Sequence, residues 1–306
     1  MMEEVEEFMF GRELNGGNDM EKKIFSIYKW VVKHLSTNSK RRLRSFKFFD
    51  KQNLFLRAKF KPDFIITKKE KHKIFLDAND SLHLSVHESF EDLESEIMRK
   101  NVREGDLVLD IGANIGYYSL LLAKLVGGNG KVYSFEPEPS NFALLKKNIE
   151  VNGYKNIIPI QKAVSESNRK IKFYLEKENF GAHKIHNSNK KMNSIEVDSV
   201  KLDSFFKNKK QKINFIKMDI EGAEGKAIQG MQNLIKTNKN LKIILEFTPV
   251  SLRECGVGPE ELFKMLKEFK SYNIDEHKNK INLVNPKQIT SDFNGGGFTN
   301  LLFIRK

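Results

Sequence analysis

The chain has 306 residues, 39% of them hydrophobic and 30% charged, with a formal net charge of +13. That length suits one large α/β domain with a sizeable core and an N-terminal extension. A single cysteine, Cys255, excludes an intramolecular disulfide, no Cys/His cluster has zinc spacing, and no apolar run reaches the roughly eighteen residues that span a bilayer. The acidic start MMEEVEEF is unlike a secretory signal, so a soluble protein of the cytoplasm is expected. Base excess concentrates in residues 21–80, where 17 Lys and Arg face 6 acids. Such charge favours an anionic partner (nucleic acid, phosphorylated sugar or membrane surface), although solubility alone explains it equally well.

Residues 1–20 are acidic and Gly/Asn-rich and read as a tail that buries too little to order itself. Residues 21–90 form a basic extension. Ile24, Phe25, Ile27, Tyr28, Val31, Val32 and Leu35 predict an amphipathic helix that packs against protein rather than lying on a membrane. The run KRRLR at 40–44 reads as a solvated charge cluster. FIITKK, KIFLDAND and SLHLSV predict short strands around a DAND turn. EDLESEIMR then predicts a helix, and the main domain, 91–306, begins there.

LVLDIGANIGY at 107–117 has the pattern of a buried parallel strand, an acid at its tip, and a glycine turn into the helix YYSLLLAK. Gly112 and Gly116 allow a sharp turn and close approach of a ligand to the backbone. KVYSFEP predicts a second strand ending at Glu136, where one carboxylate can accept both hydroxyls of a ribose; capping the next helix is the plainer role for the same acid. NIIPIQKAVSE predicts a third strand, and KIKFYLEK and SIEVDSVKLDSF additional ones. His183 and His186, in the polar loop between those two, read as loop residues rather than ligands. KINFIKMDIEGAE predicts a fourth strand tipped by Asp219, with Glu221 and Glu224 following, then one helix, GKAIQGMQNLIK. LKIILEFTP is a fifth strand, tipped by Glu246; PEELFKMLKEFK is a helix; NLVN and FTNLLFIRK close the chain as strands around a flexible NGGG.

Strand-helix repeats with acids at the first, second, fourth and fifth tips describe a doubly wound sheet whose ligand edge is rich in carboxylates. Gly112, Asn114 and Gly116 alternate where a dinucleotide site would want GxGxxG, and no Gly-Lys-Ser/Thr follows for a P-loop. Asp110 is a poor neighbour for pyrophosphate and a good one for the cationic amino group of a methionine-derived cofactor.

DIGANIGYYS, FEPEPSNFALLKKNIEVN, KAVSE, VDSVKLDSF, FIKMDIEGAE and IILEFTP, in that order, resemble the FkbM family of class I S-adenosylmethionine-dependent methyltransferases over about half the chain. The resemblance implies a seven-stranded Rossmann-like sheet with an antiparallel last hairpin, and methyl transfer usually to a hydroxyl oxygen of a sugar, glycan, lipid or secondary metabolite. It places the methionine end of S-adenosylmethionine at Asp110, Gly112, Asn114, Gly116 and Tyr117. It places the ribose at Glu136 and Pro137 and the adenine at the loop around Ala163. Ser165 is a weaker contact there, because the acid that many class I enzymes use is missing.

A hydroxyl acceptor must lose its proton, and Asp219, Glu221 or Glu246 could accept it. In the plainer role Asp219 caps the next helix, with Glu221 and Glu224 in its positive first turn. The three acids could also gather Mg²⁺, which prefers oxygen ligands, but sequence cannot show convergence and no metal is assigned. Two alternatives compete. An RNA methyltransferase would use the basic extension, against which stand the missing Asp/Asn-Pro-Pro-aromatic clamp and acids that repel phosphate. A non-catalytic binding or interaction module is the other, against which stand the intact tip acids.

Overall fold

In the computed structural model, which describes residues 25–27, 29, 61–175, 193–209 and 212–306, the chain divides into two units, 1–90 and 91–306. In the first unit Phe25, Ser26, Ile27 and Lys29 are helical; Phe25 is buried and Ile27 is exposed, so Ile27 lies off the packed side. The rest of the helix expected at 24–35, the 40–44 cluster and the 1–20 tail lie outside the described residues. Strands β1 (Phe64–Ile66) and β2 (Lys73–Phe75), expected as strands, pair antiparallel as a hairpin whose connection lies at 67–72, ahead of the DAND turn. SLHLSV, expected as a strand, instead leads into helix α1 (Leu84–His87). The Asp80 carboxylate accepts the backbone N–H groups of Leu84 (2.9 Å) and Ser85 (3.1 Å), so local capping prevails over the alternating pattern.

The second unit opens with α2 (Asp92–Asn101), whose first N–H groups, on Leu93 and Glu94, donate to the Glu276 carboxylate at 3.1 and 2.7 Å. Next come β3 (Leu107–Ile111), α3 (Tyr117–Val126), β4 (Lys131–Phe135), α4 (Pro139–Val151) and β5 (Ile157–Ile160). The expected third strand is divided, because β6 (Ala163–Val164) leaves for a separate three-stranded sheet with β7 (Lys170–Leu175) and β8 (Asn193–Val200). The loop carrying His183 and His186 lies outside the described residues.

Helix α5 (Leu202–Phe205) precedes β9 (Phe215–Met218). The single helix expected next is two, α6 (Glu224–Gln229) and α7 (Gln232–Thr237), broken at Gly230. After β10 (Lys242–Phe247) come α8 (Pro249–Glu254) and α9 (Pro259–Met265). α9 is shorter than its amphipathic pattern, because Phe269 is taken into β11 (Phe269–Asp275), where it pairs with Arg305. β12 (Lys280–Leu283), α10 (Pro286–Asp292) and β13 (Thr299–Arg305) complete the chain.

The main sheet has eight strands, in the order β12-β11-β13-β10-β9-β3-β4-β5. The seven-strand expectation is corrected by β12, a hairpin partner of β11 on the outer edge. β10, β9, β3, β4 and β5 are parallel, and β13 runs antiparallel between β10 and β11. The chain runs outward from β3 to β5 and then returns to place β9 beside β3. The strand order therefore reverses between β3 and β9, and their carboxyl ends form the switch point at which doubly wound sheets bind ligands in a crevice.

Alternation along the strands separates two faces. On one, Leu107, Leu109, Ile111, Ile216, Met218, Ile243 and Leu245 join the main apolar core; full burial of such side chains stabilises by about 1.5–3 kcal/mol each. On the other, register sets Ser134, Asp110 and Lys217 side by side across β4, β3 and β9. Among the described residues no helix is long and apolar enough to cross a membrane.

Candidate active site

The turn after β3 is built by backbone conformation. Gly112 (φ 84°), Asn114 (φ 50°) and Gly116 (φ 97°) are all left-handed, and the N–H groups of Gly112 and Ala113 both donate to Phe135 O at 2.9 Å. Gly112 admits no side chain: a Cβ there would lie 1.8 Å from the Asp219 carbonyl oxygen. The turn is thereby packed directly onto the tip of β9.

Glu136 ties the turn to β4. Its carboxylate accepts the Asn114 N–H at 2.8 Å and the Glu138 N–H at 2.9 Å. Burial pushes its carboxyl up to about 8, against the lowering effect of those two N–H donors. The capping role that Glu136 could have played falls instead to Glu138, which accepts the Asn141 N–H at 2.6 Å ahead of Pro139. Pro137 lies buried between the two acids.

Asp110 is turned beneath the glycine turn. The Ser119 hydroxyl donates to it at 2.5 Å and also reaches Ser134 Oγ at 2.8 Å. Burial raises the Asp110 carboxyl to about 6. Tyr117, the first residue of α3, is buried edge-on to Tyr118. The Ala163 methyl packs with Phe173 and Val197 in the core of the small sheet, and the Ser165 hydroxyl bonds to Glu166. Asn114 Oδ1 is buried with no hydrogen-bond partner among the described residues.

Asp219, Glu221 and Glu246 do converge: each offers a carboxylate oxygen within 4.8 Å of the others. Asp219 and Glu221 are partly exposed; the Asp219 side chain, 34% exposed, pairs with Lys217 Nζ at 3.2 Å rather than capping α6. The hydrogen bond at the start of α6 comes from Glu224, whose Oε1 accepts the Ile220 N–H at 3.0 Å. Burial pushes the Glu224 carboxyl up to about 8. Glu246 is buried, and desolvation followed by the charges of Asp219, Glu221 and Glu224 lifts its carboxyl well above the usual range. Its carboxyl is the most buried of the three, beside the more exposed Asp219 and Glu221. The spacing would admit an oxygen-coordinated cation, but Lys217 already answers Asp219 and the Thr248 hydroxyl reaches Glu246, so no chemistry is routed through a metal.

Sequence reasoning passed over the groups beneath this tip: Lys217, Glu91, Glu94, Tyr118 and Asn300. The one available signal is the lysine that interrupts the apolar run of β9.

A reversed strand order with a left-handed glycine turn at the crevice, laced to an acid on the second strand tip, defines a Rossmann-like methyltransferase. The family described as Methyltransferase FkbM domain matches residues 110–274, over half the chain, and the chain belongs to that family. Among curated proteins it is similar to the hexuronic acid methyltransferase AglP of Haloferax volcanii, 26% identical over 181 residues, which is 58% of this chain and 69% of that protein. It is also similar to protein-L-isoaspartate O-methyltransferase 1 of Archaeoglobus fulgidus, 38% identical over 60 residues, which is 20% of this chain and only 28% of that enzyme. Among solved structures, methyltransferase FkbM of Methylobacillus flagellatus aligns with a TM-score of 0.40 at 16% identity, covering 74% of this chain and 53% of that one.

Proposed function

We propose that the protein transfers the methyl group of S-adenosylmethionine to a hydroxyl oxygen, with a sugar or glycan as acceptor ahead of a lipid or secondary metabolite. The observation that carries this reading is the crevice itself, where a left-handed turn held to the buried Glu136 adjoins the open carboxylate of Asp219. The relative named for hexuronic acid methylation supports a sugar-type acceptor.

The residues fit the donor. Glu136, anchored by two N–H groups, keeps lone pairs for ribose hydroxyls, with Pro137 beside it. The unpartnered Asn114 Oδ1 suits the ammonium of the methionine part, in the left-handed turn that Gly112 and Gly116 make, with Asp110 and Tyr117 as the floor. The loop around Ala163 would flank the adenine. S-adenosylmethionine supplies a methyl group already activated by its sulfonium. The chain's share is to align the acceptor oxygen and exclude water. Asp219 takes the hydroxyl proton as the new C–O bond forms and the methyl–sulfur bond breaks, its electron pair staying on sulfur, while Glu221 and Glu246 complete the rim.

The test is incubation with methyl-labelled S-adenosylmethionine and separate glycan, lipid and RNA fractions, followed by mild alkali. Alkali-stable label in glycan is expected, since an ether survives where a carboxylate ester is cleaved. Label released by alkali, label confined to RNA, or donor binding without transfer to any fraction would each overturn the reading.

A further inference from the structure

We propose that Lys217 is a positioning residue for methyl transfer, one that orients the Asp219 carboxylate from a buried seat below it. The inference rests on Asp219 being the group that takes the acceptor's proton.

Lys217 stands in the middle of β9, between β3 and β10, with a side chain only 1% exposed. Its ammonium lies 3.2 Å from Asp219 Oδ2, 3.6 Å from Glu94 Oε1, and 4.9 Å from the centre of the Tyr118 ring. Each of these supports is itself fixed. The Tyr118 hydroxyl donates to Glu91 at 2.7 Å, and Asn300 Nδ2 donates to the same carboxylate at 2.9 Å. Glu94 is fully buried on α2, the helix whose N-terminus Glu276 holds; neither of its oxygens has a hydrogen-bond partner among the described residues. Lys217 is its nearest compensation.

A buried ion pair of this kind is a poor way to fill a strand. Apolar side chains of the same volume would stabilise the sheet as well or better, and the neighbours Phe215, Ile216 and Met218 are all apolar and buried. What distinguishes a lysine here is where its charge is delivered. Glu94 and Tyr118 are sealed in, whereas Asp219 opens to the crevice, so the ammonium has one contact that reaches the reaction. The Asp219 backbone is already held, its N–H donating to Ile111 O at 2.9 Å and its carbonyl lying against Gly112. Lys217 fixes the remaining freedom, which is side-chain rotation. Burial opposes the lysine's charge, but Asp219, Glu94, Glu91 and Asp110 outweigh it and keep the ammonium protonated. It therefore acts by contact and not by proton exchange. During transfer the acceptor oxygen bonds to the methyl carbon as the methyl–sulfur bond breaks and its electron pair stays on sulfur as a neutral thioether; the acceptor's O–H bond breaks, its proton joins the Asp219 carboxylate, and Lys217 stays charged throughout.

The test is a double-mutant cycle on the full chain. Transfer of label from S-adenosylmethionine is measured on a panel of methyl glycosides of hexoses, hexosamines and hexuronic acids, with donor affinity measured by calorimetry. Lys217→Met is expected to lower the turnover by about 100-fold, the scale of an ångström's misplacement, with donor affinity unchanged. Lys217→Arg should recover most of that loss. Asp219→Asn should lower turnover at least as far, and adding Lys217→Met to it should cost nothing more, because the lysine acts through the carboxylate. The paired variant Glu94→Met/Lys217→Met removes the fully buried acid together with the lysine and should reproduce Lys217→Met in a stably folded protein. Multiplying losses in the double variant, or weakened donor binding in the paired one, would make Lys217 merely structural and overturn the proposal. Wild-type turnover in Asp219→Asn, or no labelled glycoside from the wild-type protein, would overturn the underlying reading of the site instead.

Discussion

Gly112→Ala tests whether the donor turn and the β9 tip form one rigid unit. Two costs add. Alanine at φ 84° pays about 1–2 kcal/mol for the left-handed conformation. Its Cβ also starts 1.8 Å from the Asp219 carbonyl oxygen and 2.9 Å from the carbonyl carbon. Relief requires strand ends to separate by more than an ångström, straining the 2.9 Å Asp219 N–H to Ile111 O bond, at about 1–3 kcal/mol for overpacking. Gly105 provides a matched control, since it has the same φ of 84° and nothing within 4 Å of its would-be Cβ. By calorimetric melting Gly105→Ala should lose about 2–8 °C, and Gly112→Ala about 4–20 °C. By titration calorimetry S-adenosylmethionine should bind Gly105→Ala normally and Gly112→Ala weakly or not at all. Equal melting losses with intact donor binding in both variants would refute the reasoning.

Glu136→Ala strips acceptors from two N–H groups at once and should weaken donor binding by on the order of 10–100-fold. Glu138→Ala, which removes only the α4 cap, should cost about 1 kcal/mol of stability and leave binding alone; equal binding by both variants would sink the ribose assignment. Stability should also fall as pH rises from about 4 to about 8. The carboxyls of Asp110, Glu136 and Glu224 are raised by burial, so their contribution is full below the unfolded values and is lost as pH passes the folded ones. Glu224→Gln keeps an oxygen for the Ile220 N–H and should flatten that decline in chemical-denaturation midpoints; an unchanged slope would contradict the assignment.

Local chemistry was legible in the chain. Runs such as LVLDI, KVYSF and KIILEF announce strands buried on both faces, and the spacing of Gly112, Asn114 and Gly116 announces a turn, because both depend on neighbours a few residues away. Tertiary contacts decided the rest. Side-chain hydrogen bonds chose a helix for Leu84–His87 and gave the α4 cap to Glu138 rather than Glu136. Pairing with β13 shortened α9 and made room for β11 and an eighth strand. Above all, Lys217 shows locally only as a charged break in the apolar run of β9, which does not tell its role. Only the register of β9 against β3 and the packing of α2 set its ammonium between Glu94 and Asp219, because a buried charge takes its meaning from partners brought together by folding.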